Sequence, residues 1–201
     1  MILGLFLASS LTLSTPANNP GRWLSDRDYP ASAIRRREQG AVGFRLLISP
    51  EGRVARCEVI ISSHSPDLDR ATCDVIIAQS KFKPAKDEVG QPNYSMFIGR
   101  LTWLLSGHAL GVSAPPFQPD FEITVQKLPD GSRVKMVQLV TKFDPTGQLA
   151  VCEPGDSRKD MKLVVVACAQ AKTVPIAITK DDDGNPISVI RLLSILFKTA
   201  G

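Results

Sequence analysis

The residues with the most reactive chemistry in this 201-residue chain are its four cysteines. Cys57 and Cys73 are echoed by Cys152 and Cys168 at a constant offset of 95 residues. A thiol can ligate a metal, attack as a nucleophile or pair as a disulfide, and spacing separates these roles. Zinc sites draw on close pairs such as C-x-x-C together with suitably spaced histidines. Here each pair encloses 15 residues, and His64 and His108 show no ligand spacing. Two local disulfides, Cys57 with Cys73 and Cys152 with Cys168, account for the repeat. Each is worth about 3 kcal/mol in the chain-entropy picture, and such bonds persist in oxidising compartments.

The other chemically capable residues lead to bland readings. His64 would need a nucleophile within hydrogen-bond reach to act as a base, and its surroundings offer none. His108 lies in a Gly/Pro-rich stretch. No G-x-S-x-G, H-E-x-x-H or P-loop pattern occurs. Asp181-Asp182-Asp183-Gly184 resembles the start of a calcium loop, but an EF-hand needs Gly at its sixth position and Glu at its twelfth. Gly184 comes too early and no Glu follows, so a hairpin turn is expected. No catalytic residue, no metal and no cofactor is therefore expected, and the chain is not read as an enzyme. Its net charge of +4 favours solubility but is not the basic stripe of a nucleic-acid binder. Arg35-Arg36-Arg37 reads as the solvated end of a helix, where cations complement the dipole. Trp23, Tyr29, Trp103 and Phe117 read as core or interdomain packing.

The elements that position the cysteines repeat as well. Pro50-Glu51-Gly52-Arg53-Val54-Ala55-Arg56-Cys57-Glu58 matches Pro145-Thr146-Gly147-Gln148-Leu149-Ala150-Val151-Cys152-Glu153 at the Pro, Gly, Ala, Cys and Glu positions. After a one-residue slip, Asp87-Glu88-Val89-Gly90-Gln91-Pro92 falls on Asp181-Asp182-Asp183-Gly184-Asn185-Pro186. Self-similarity of this kind predicts one small domain present twice. Domains of that size bury little apolar surface, so a covalent staple helps each. The expected division is residues 1–17 as signal peptide or short anchor, 18–27 as linker, 28–105 as the first domain, 106–120 as a Gly/Pro-rich linker and 121–201 as a degenerate second domain. Residues 2–13 are uncharged and mostly apolar, and Thr15-Pro16-Ala17 offers small residues for cleavage. That run is too short and too rich in Ser and Thr for a confident span.

Periodicity fills in the elements. Pro30 and the residues to Glu38 predict a helix entered at a first-turn proline and closed by Gly40 in the left-handed conformation. Val42, Phe44, Leu46 and Ile48 alternate as in a half-buried strand. Pro50-Glu51-Gly52 is a turn, and residues 54–61 return antiparallel. Ser65-Pro66 caps a second helix whose buried face carries Leu68, Ala71, Val75 and Ile76. Residues 94–105 form a third strand, with Met96, Ile98 and Leu101 or Trp103 available to the core. In the second half, residues 121–125 are a strand followed by a hairpin turn at Leu128-Pro129-Asp130-Gly131, and residues 134–143 and 148–152 repeat the central hairpin. Val164-Val165-Val166 disfavours a helix, but the cysteine register places one there. Residues 187–197 are the last strand.

An ordered set of residues in the first half resembles the C-terminal domain of TonB, the energy transducer of Gram-negative bacteria. It comprises Tyr29-Pro30, Gly40-x-Val42-x-Phe44, Pro50-Glu51-Gly52-Arg53-Val54, Ser62-Ser63, Leu68-Asp69, Phe82-Lys83-Pro84-Ala85 and Gly90-x-Pro92. The resemblance implies an α+β fold: two tandem units, each a small antiparallel sheet with one or two packed helices. It assigns structural roles to Tyr29, Pro30, Gly40, Gly52, Phe82 and Pro84. It also implies a periplasmic, non-enzymatic protein that binds a protein or peptide, such as a segment of an outer-membrane transporter, by adding that segment to an edge strand. The matching strand holds Tyr94, Ser95, Met96, Phe97, Ile98 and Arg100, with Ser95, Phe97 and Arg100 or their alternates facing solvent. The alternative is a structural protein whose two units pair with each other or that forms a homodimer. A force transducer needs a long spacer; about 12 residues between Ala17 and Tyr29 reach roughly 40 Å when extended, which favours an adaptor. Membrane contact is expected only where the N-terminal segment stays uncleaved, anchored in the inner membrane and facing the periplasm.

Overall fold

Residues 10–105, 119–155, 160–174 and 176–200 are described in this computed structural model. Ser14–Pro84 with Ser95–Phe117 make one unit, called amino-terminal below. Met1–Leu13, Ala85–Tyr94 and Gln118–Gly201 make the other, called carboxy-terminal. Most of the expected linker at residues 106–120 lies outside the described residues, and with it His108 and Phe117.

In the amino-terminal unit the alternating strand is the centre of the sheet. Val42, Phe44, Leu46 and Ile48 of β2 (Gly40–Ile48), numbered after β1 below, are all at most 2% exposed. Strand β3 (Val54–Ile61) pairs antiparallel with one edge of β2. Strand β6 (Pro92–Trp103) pairs antiparallel with the other, from Ser95 opposite Ile48 to Trp103 opposite Gly40. Helix α2 (Pro66–Gln79) covers this sheet. The Ser65 hydroxyl oxygen accepts the Leu68 amide at 3.4 Å, and Asp67 and Asp69 occupy the first turn, where the helix dipole favours carboxylates. Leu68, Val75 and Ile76 are buried and Ala71 packs against them. Cys57 on β3 is bonded to Cys73 on α2, with their Cα atoms 5.6 Å apart.

Helix α1 (Ala31–Arg36) is shorter than expected. Pro30 stands just before its first residue, and the left-handed residue that closes it is Arg37 (φ 54°), not Gly40. Gly40 instead begins β2, where an added Cβ would sit 3.0 Å from the Ser63 side chain and 3.1 Å from its carbonyl oxygen. Close approach of two backbones, rather than a helix stop, explains this glycine. Residues 18–27 are not a bare tether. They form two short 3-10 turns, Pro20–Arg22 and Asp26–Asp28, and place Trp23 in the core at 4% exposure, its ring 5.6 Å from that of Phe82. Just before them, β1 (Thr15–Pro16) pairs antiparallel with β4 (Phe82–Lys83).

The carboxy-terminal unit has its own hairpin, helix and long strand. Strands β8 (Val134–Phe143) and β9 (Leu149–Pro154) form the hairpin. Helix α3 (Met161–Ala171) buries Leu163, Val164, Ala167 and Ala171, the face that the 3.6-residue period demands. Burial of that face outweighs the weak helix propensity of Val164-Val165-Val166. Cys152 on β9 is bonded to Cys168 on α3, with Cα atoms 5.9 Å apart. Strand β10 (Val189–Thr199) lies between β8, antiparallel, and β7 (Phe121–Val125), parallel. The expected hairpin turn after β7 is thus a crossover. Gly131 does adopt φ 75°, but residues 126–133 pass over the end of β10, whose Thr199 and Ala200 amides bond to the Arg133 and Val125 carbonyls. The connection is long enough to step across two interstrand spacings of about 4.8 Å. On the other face of this sheet Leu11, Ala85, Val140 and Ile190 form a buried cluster. Ala85 belongs to β5 (Ala85–Lys86), which pairs with Asn93 and Pro92.

Candidate functional site

The motif residues hold the amino-terminal unit together. Tyr29 donates its hydroxyl proton to the Glu38 carbonyl and sets its ring edge-on to Trp103, with centroids 5.3 Å apart. Trp103 is fully buried, and its indole N–H donates to the Thr72 hydroxyl at 2.8 Å, which donates in turn to the Leu68 carbonyl. Gly52 has φ 77°, and a Cβ there would meet the Phe82 carbonyl oxygen at 2.1 Å and Pro84 Cδ at 3.6 Å. The Phe82 amide donates to the Gly52 carbonyl at 3.0 Å. The turn after β2 is therefore locked to β4 through a position only glycine fits.

Strand β6 brings Tyr94, Ser95, Met96, Phe97, Ile98 and Arg100 into one continuous element. Leu101 and Trp103 face the core and Arg100 the opposite side, as expected, whereas Ser95 and Phe97 take the alternate face. Ser95, Leu101 and Trp103 are buried, and Phe97 packs edge-on to Phe82 at 5.0 Å. Met96, Ile98, Arg100 and Thr102 carry the opposite face, and Ile98 is 40% exposed. Gly99 sets this parity. A Cβ there would lie 2.5 Å from Cζ of Phe44, so the Phe44 ring lies directly over the β6 backbone. With the small residues Ser95 and Gly99 in the inward series, hydrophobicity alone points to the wrong face.

Beside this strand lies an open groove of about 540 Å³. Its walls are Trp23 and Leu24 on one side and Phe97, Gly99 and Leu101 of β6 on the other, with Phe44 in the floor. An extended segment running along β6 could place an apolar side chain here. Sequence reasoning missed the groove because its outer wall comes from the stretch read as a linker; Trp23 next to Leu24 was the available signal.

The charged groups near the start of α2 are tied to one another and to α1. Arg36 bonds to Glu38 at 2.7 Å and to Asp67 at 2.8 Å. Ser65 donates to Glu38 at 2.6 Å, and Ser32 donates to Asp67. The Arg36 and Ser65 hydrogen bonds hold the Glu38 carboxyl below its ordinary range, and the Ser32 and Arg36 hydrogen bonds do the same for Asp67. A carboxylate so stabilised is a poor general base. His64 adopts φ 69° in the loop before α2. Among the described residues no group of three or more His, Cys, Asp or Glu is placed to hold a metal, and no cysteine is free. The Asp181 carboxylate accepts the Asp183 and Asn185 amides at 3.1 and 2.8 Å, a side-chain-stabilised turn in which Gly184 supplies the positive φ. Asp87 accepts the Val89 and Gln91 amides in the same way before Gly90.

Residues 25–103 match the family model described as Gram-negative bacterial TonB protein C-terminal. Searches of curated proteins and of solved structures returned no significant match. The matched residues contain the motif positions, the first disulfide and all of β6. Trp23 and Leu24 fall just before them.

Proposed function

Residues 25–103 being a TonB C-terminal domain, we propose that the chain is a periplasmic interaction module that binds an extended segment of an envelope protein by strand addition along β6. TonB C-terminal domains are periplasmic, non-enzymatic interaction domains linked to envelope transport. No helix among the described residues is long and apolar enough to cross a membrane. The observation that carries the finer reading is the apolar groove alongside β6. Strand addition draws affinity from backbone hydrogen bonds and selectivity from pockets for alternate side chains. Tyr94, Ser95, Met96, Phe97, Ile98 and Arg100 form the strand proposed to meet the segment, and the groove between Trp23 and Phe97 is the pocket proposed for one of its side chains. A segment of an outer-membrane transporter is the partner class that fits the domain's family.

A photo-crosslinking residue at Met96 or Ile98, in the full chain expressed in a Gram-negative host, tests this. The expected products join the strand to an extended segment of an envelope protein, and Phe97→Pro, which removes a backbone donor, abolishes them. Crosslinks confined to residues 119–200 of the same chain, or to a second copy, would instead establish the self-pairing alternative and refute client binding at this strand.

A further inference from the structure

Helices α2 and α3 are each bonded to a strand of their own unit by a disulfide, and their buried faces agree. Leu68, Thr72 and Ile76 of α2 are buried, and so are Leu163, Ala167 and Ala171 of α3, each 95 positions further on. Their outer faces do not agree. Helix α2 turns Arg70 and Asp74 to solvent, whereas α3 carries Val165 and Ala169 at the matching exposed positions. Met161, Val165 and Val166 are 49%, 64% and 45% exposed. Met161, Val165 and Ala169 follow one another at four-residue steps, so with Val166 they form one apolar stripe along the helix.

The fold gains nothing from this stripe. Valine has a lower helix propensity than arginine and recovers that cost only through burial, which Val165 and Val166 largely lack. Lys162 stands where α2 has Asp67. Asp67 is held by Arg36 and Ser32 of α1, and the carboxy-terminal unit has no helix of that kind among its described residues, which accounts for the lost acid. It does not account for the lysine, because the first turn of a helix favours negative charge. Lys162 and Lys172 are exposed towards the two ends of the stripe, and neither forms an ion pair among the described residues. No acidic residue lies between Met161 and Lys172, and Asp160 just before them is paired with Lys135 at 3.0 Å.

An apolar stripe with a cation towards each end calls for an occupant that is both apolar and anionic. The stripe lies on the convex outer side of a helix and offers neither a groove nor a strand edge to seat a peptide. A lipid surface needs neither. Aliphatic side chains enter the boundary of headgroups and acyl chains, while lysine stems lie along it and carry their charges to the headgroups. We propose that the outer face of α3 docks the protein on an anionic phospholipid surface. Basic amphipathic helices bind membranes in this way, and the inner face of α3 is already committed to the core. The proposal depends neither on client binding at β6 nor on the fate of the N-terminal segment.

The test is co-sedimentation of the full, oxidised chain at low salt with vesicles of phosphatidylcholine, and with vesicles in which a third of that lipid is replaced by phosphatidylglycerol. Stronger binding to the anionic vesicles is expected. Val165→Ser with Val166→Ser should weaken it about tenfold, because two exposed valines lose their apolar contact. Lys162→Gln with Lys172→Gln should weaken it about 25-fold, at about fivefold for each lysine. All four side chains are exposed, and serine matches valine in helix propensity, so both variants should keep the wild-type circular dichroism. Arg70→Gln on α2 controls for general charge attraction and should leave binding unchanged. No binding, equal binding to both kinds of vesicle, a valine variant that binds like the wild type, or an equal loss with Arg70→Gln would each overturn the proposal. Dimers of the wild-type chain that are lost in the valine variant, without vesicle binding, would assign the face to a second copy instead.

Discussion

Replacing Gly52 by alanine isolates a very close backbone approach in the amino-terminal unit. Two costs add at this position. A non-glycine residue at φ 77° is disfavoured by about 1–2 kcal/mol. The new Cβ would lie 2.1 Å from the Phe82 carbonyl oxygen, so β4 must retreat. Retreat breaks the 3.0 Å bond from the Phe82 amide to the Gly52 carbonyl, about 1 kcal/mol. It also disturbs the packing of Phe82 against Trp23 and Phe97, about 1–3 kcal/mol by analogy with overpacked cores. The expected loss is about 3–6 kcal/mol, a large share of a typical domain's stability.

The chain carries its own probe for this loss. Both of its tryptophans, Trp23 and Trp103, are buried in the amino-terminal unit, so urea unfolding followed by their fluorescence reads that unit alone. With a slope of about 1–3 kcal/mol per molar urea, the midpoint should fall by about 2 M with the disulfides intact. Gly184→Ala is the control. Gly184 has a similar φ of 85° but nothing within 4 Å of an added Cβ, so only the backbone cost of about 1–2 kcal/mol applies, read by circular dichroism. If Gly52→Ala costs no more than Gly184→Ala, the lock between Gly52 and Phe82 is refuted.

Thr72→Val should cost about 1–3 kcal/mol in chemical denaturation, because it leaves the buried Trp103 N–H without its acceptor at nearly constant volume; a change under about 0.5 kcal/mol would mean that the indole finds another partner. Gly99→Ala should destabilise by about 1–3 kcal/mol by pushing on the Phe44 ring, and an unchanged urea midpoint would show that this contact is slack. Loss of the Cys57–Cys73 bond alone, achieved by replacing both cysteines with serine, should lower stability by about 3 kcal/mol, again read by tryptophan fluorescence; an unchanged midpoint would show that the staple adds nothing to this unit. Glu38 titrates below its ordinary value when folded, chiefly through its hydrogen bond from Arg36. Its contribution is therefore present above the unfolded carboxylate value, about 4.3, and fades as pH falls through the folded one. Arg36→Met should flatten the fall in Tm below that pH, and an acid limb as steep as the wild type's would remove Arg36 from the account.

Much of the fold could be read from residue order because local and tertiary signals agreed. The alternation of Val42, Phe44, Leu46 and Ile48 faces one core, and the repeated cysteine spacing named both disulfides. At α3 they disagreed: three successive valines favour a strand, yet the helix forms because Leu163, Val164, Ala167 and Ala171 need one buried face. The misses share a different cause. At β6 the inward positions Ser95 and Gly99 are small because Phe44 occupies their space, and no pattern along one strand records what a neighbouring strand projects. The partner of β7 is equally non-local, since a turn signal at Asp130-Gly131 fixes the bend but not which strand lies beyond it. The groove wall at Trp23 and Leu24 follows from packing against Phe82, a residue far away in sequence.

The two disulfides each join cysteines that are neighbours in chain order, 16 positions apart. Four cysteines permit three connectivities, and this is the one that vectorial export produces by itself. If the chain is exported amino terminus first, as the proposed function requires, Cys57 is the one of the four cysteines that precedes Cys73 into the oxidising compartment. The first bond can close before Cys152 has left the translocation channel, and the same holds for Cys168 and Cys152 in turn. An oxidase that acts on thiols in order of arrival thus yields the native set without reshuffling, and biogenesis of this protein should depend on an oxidant but not on a disulfide isomerase.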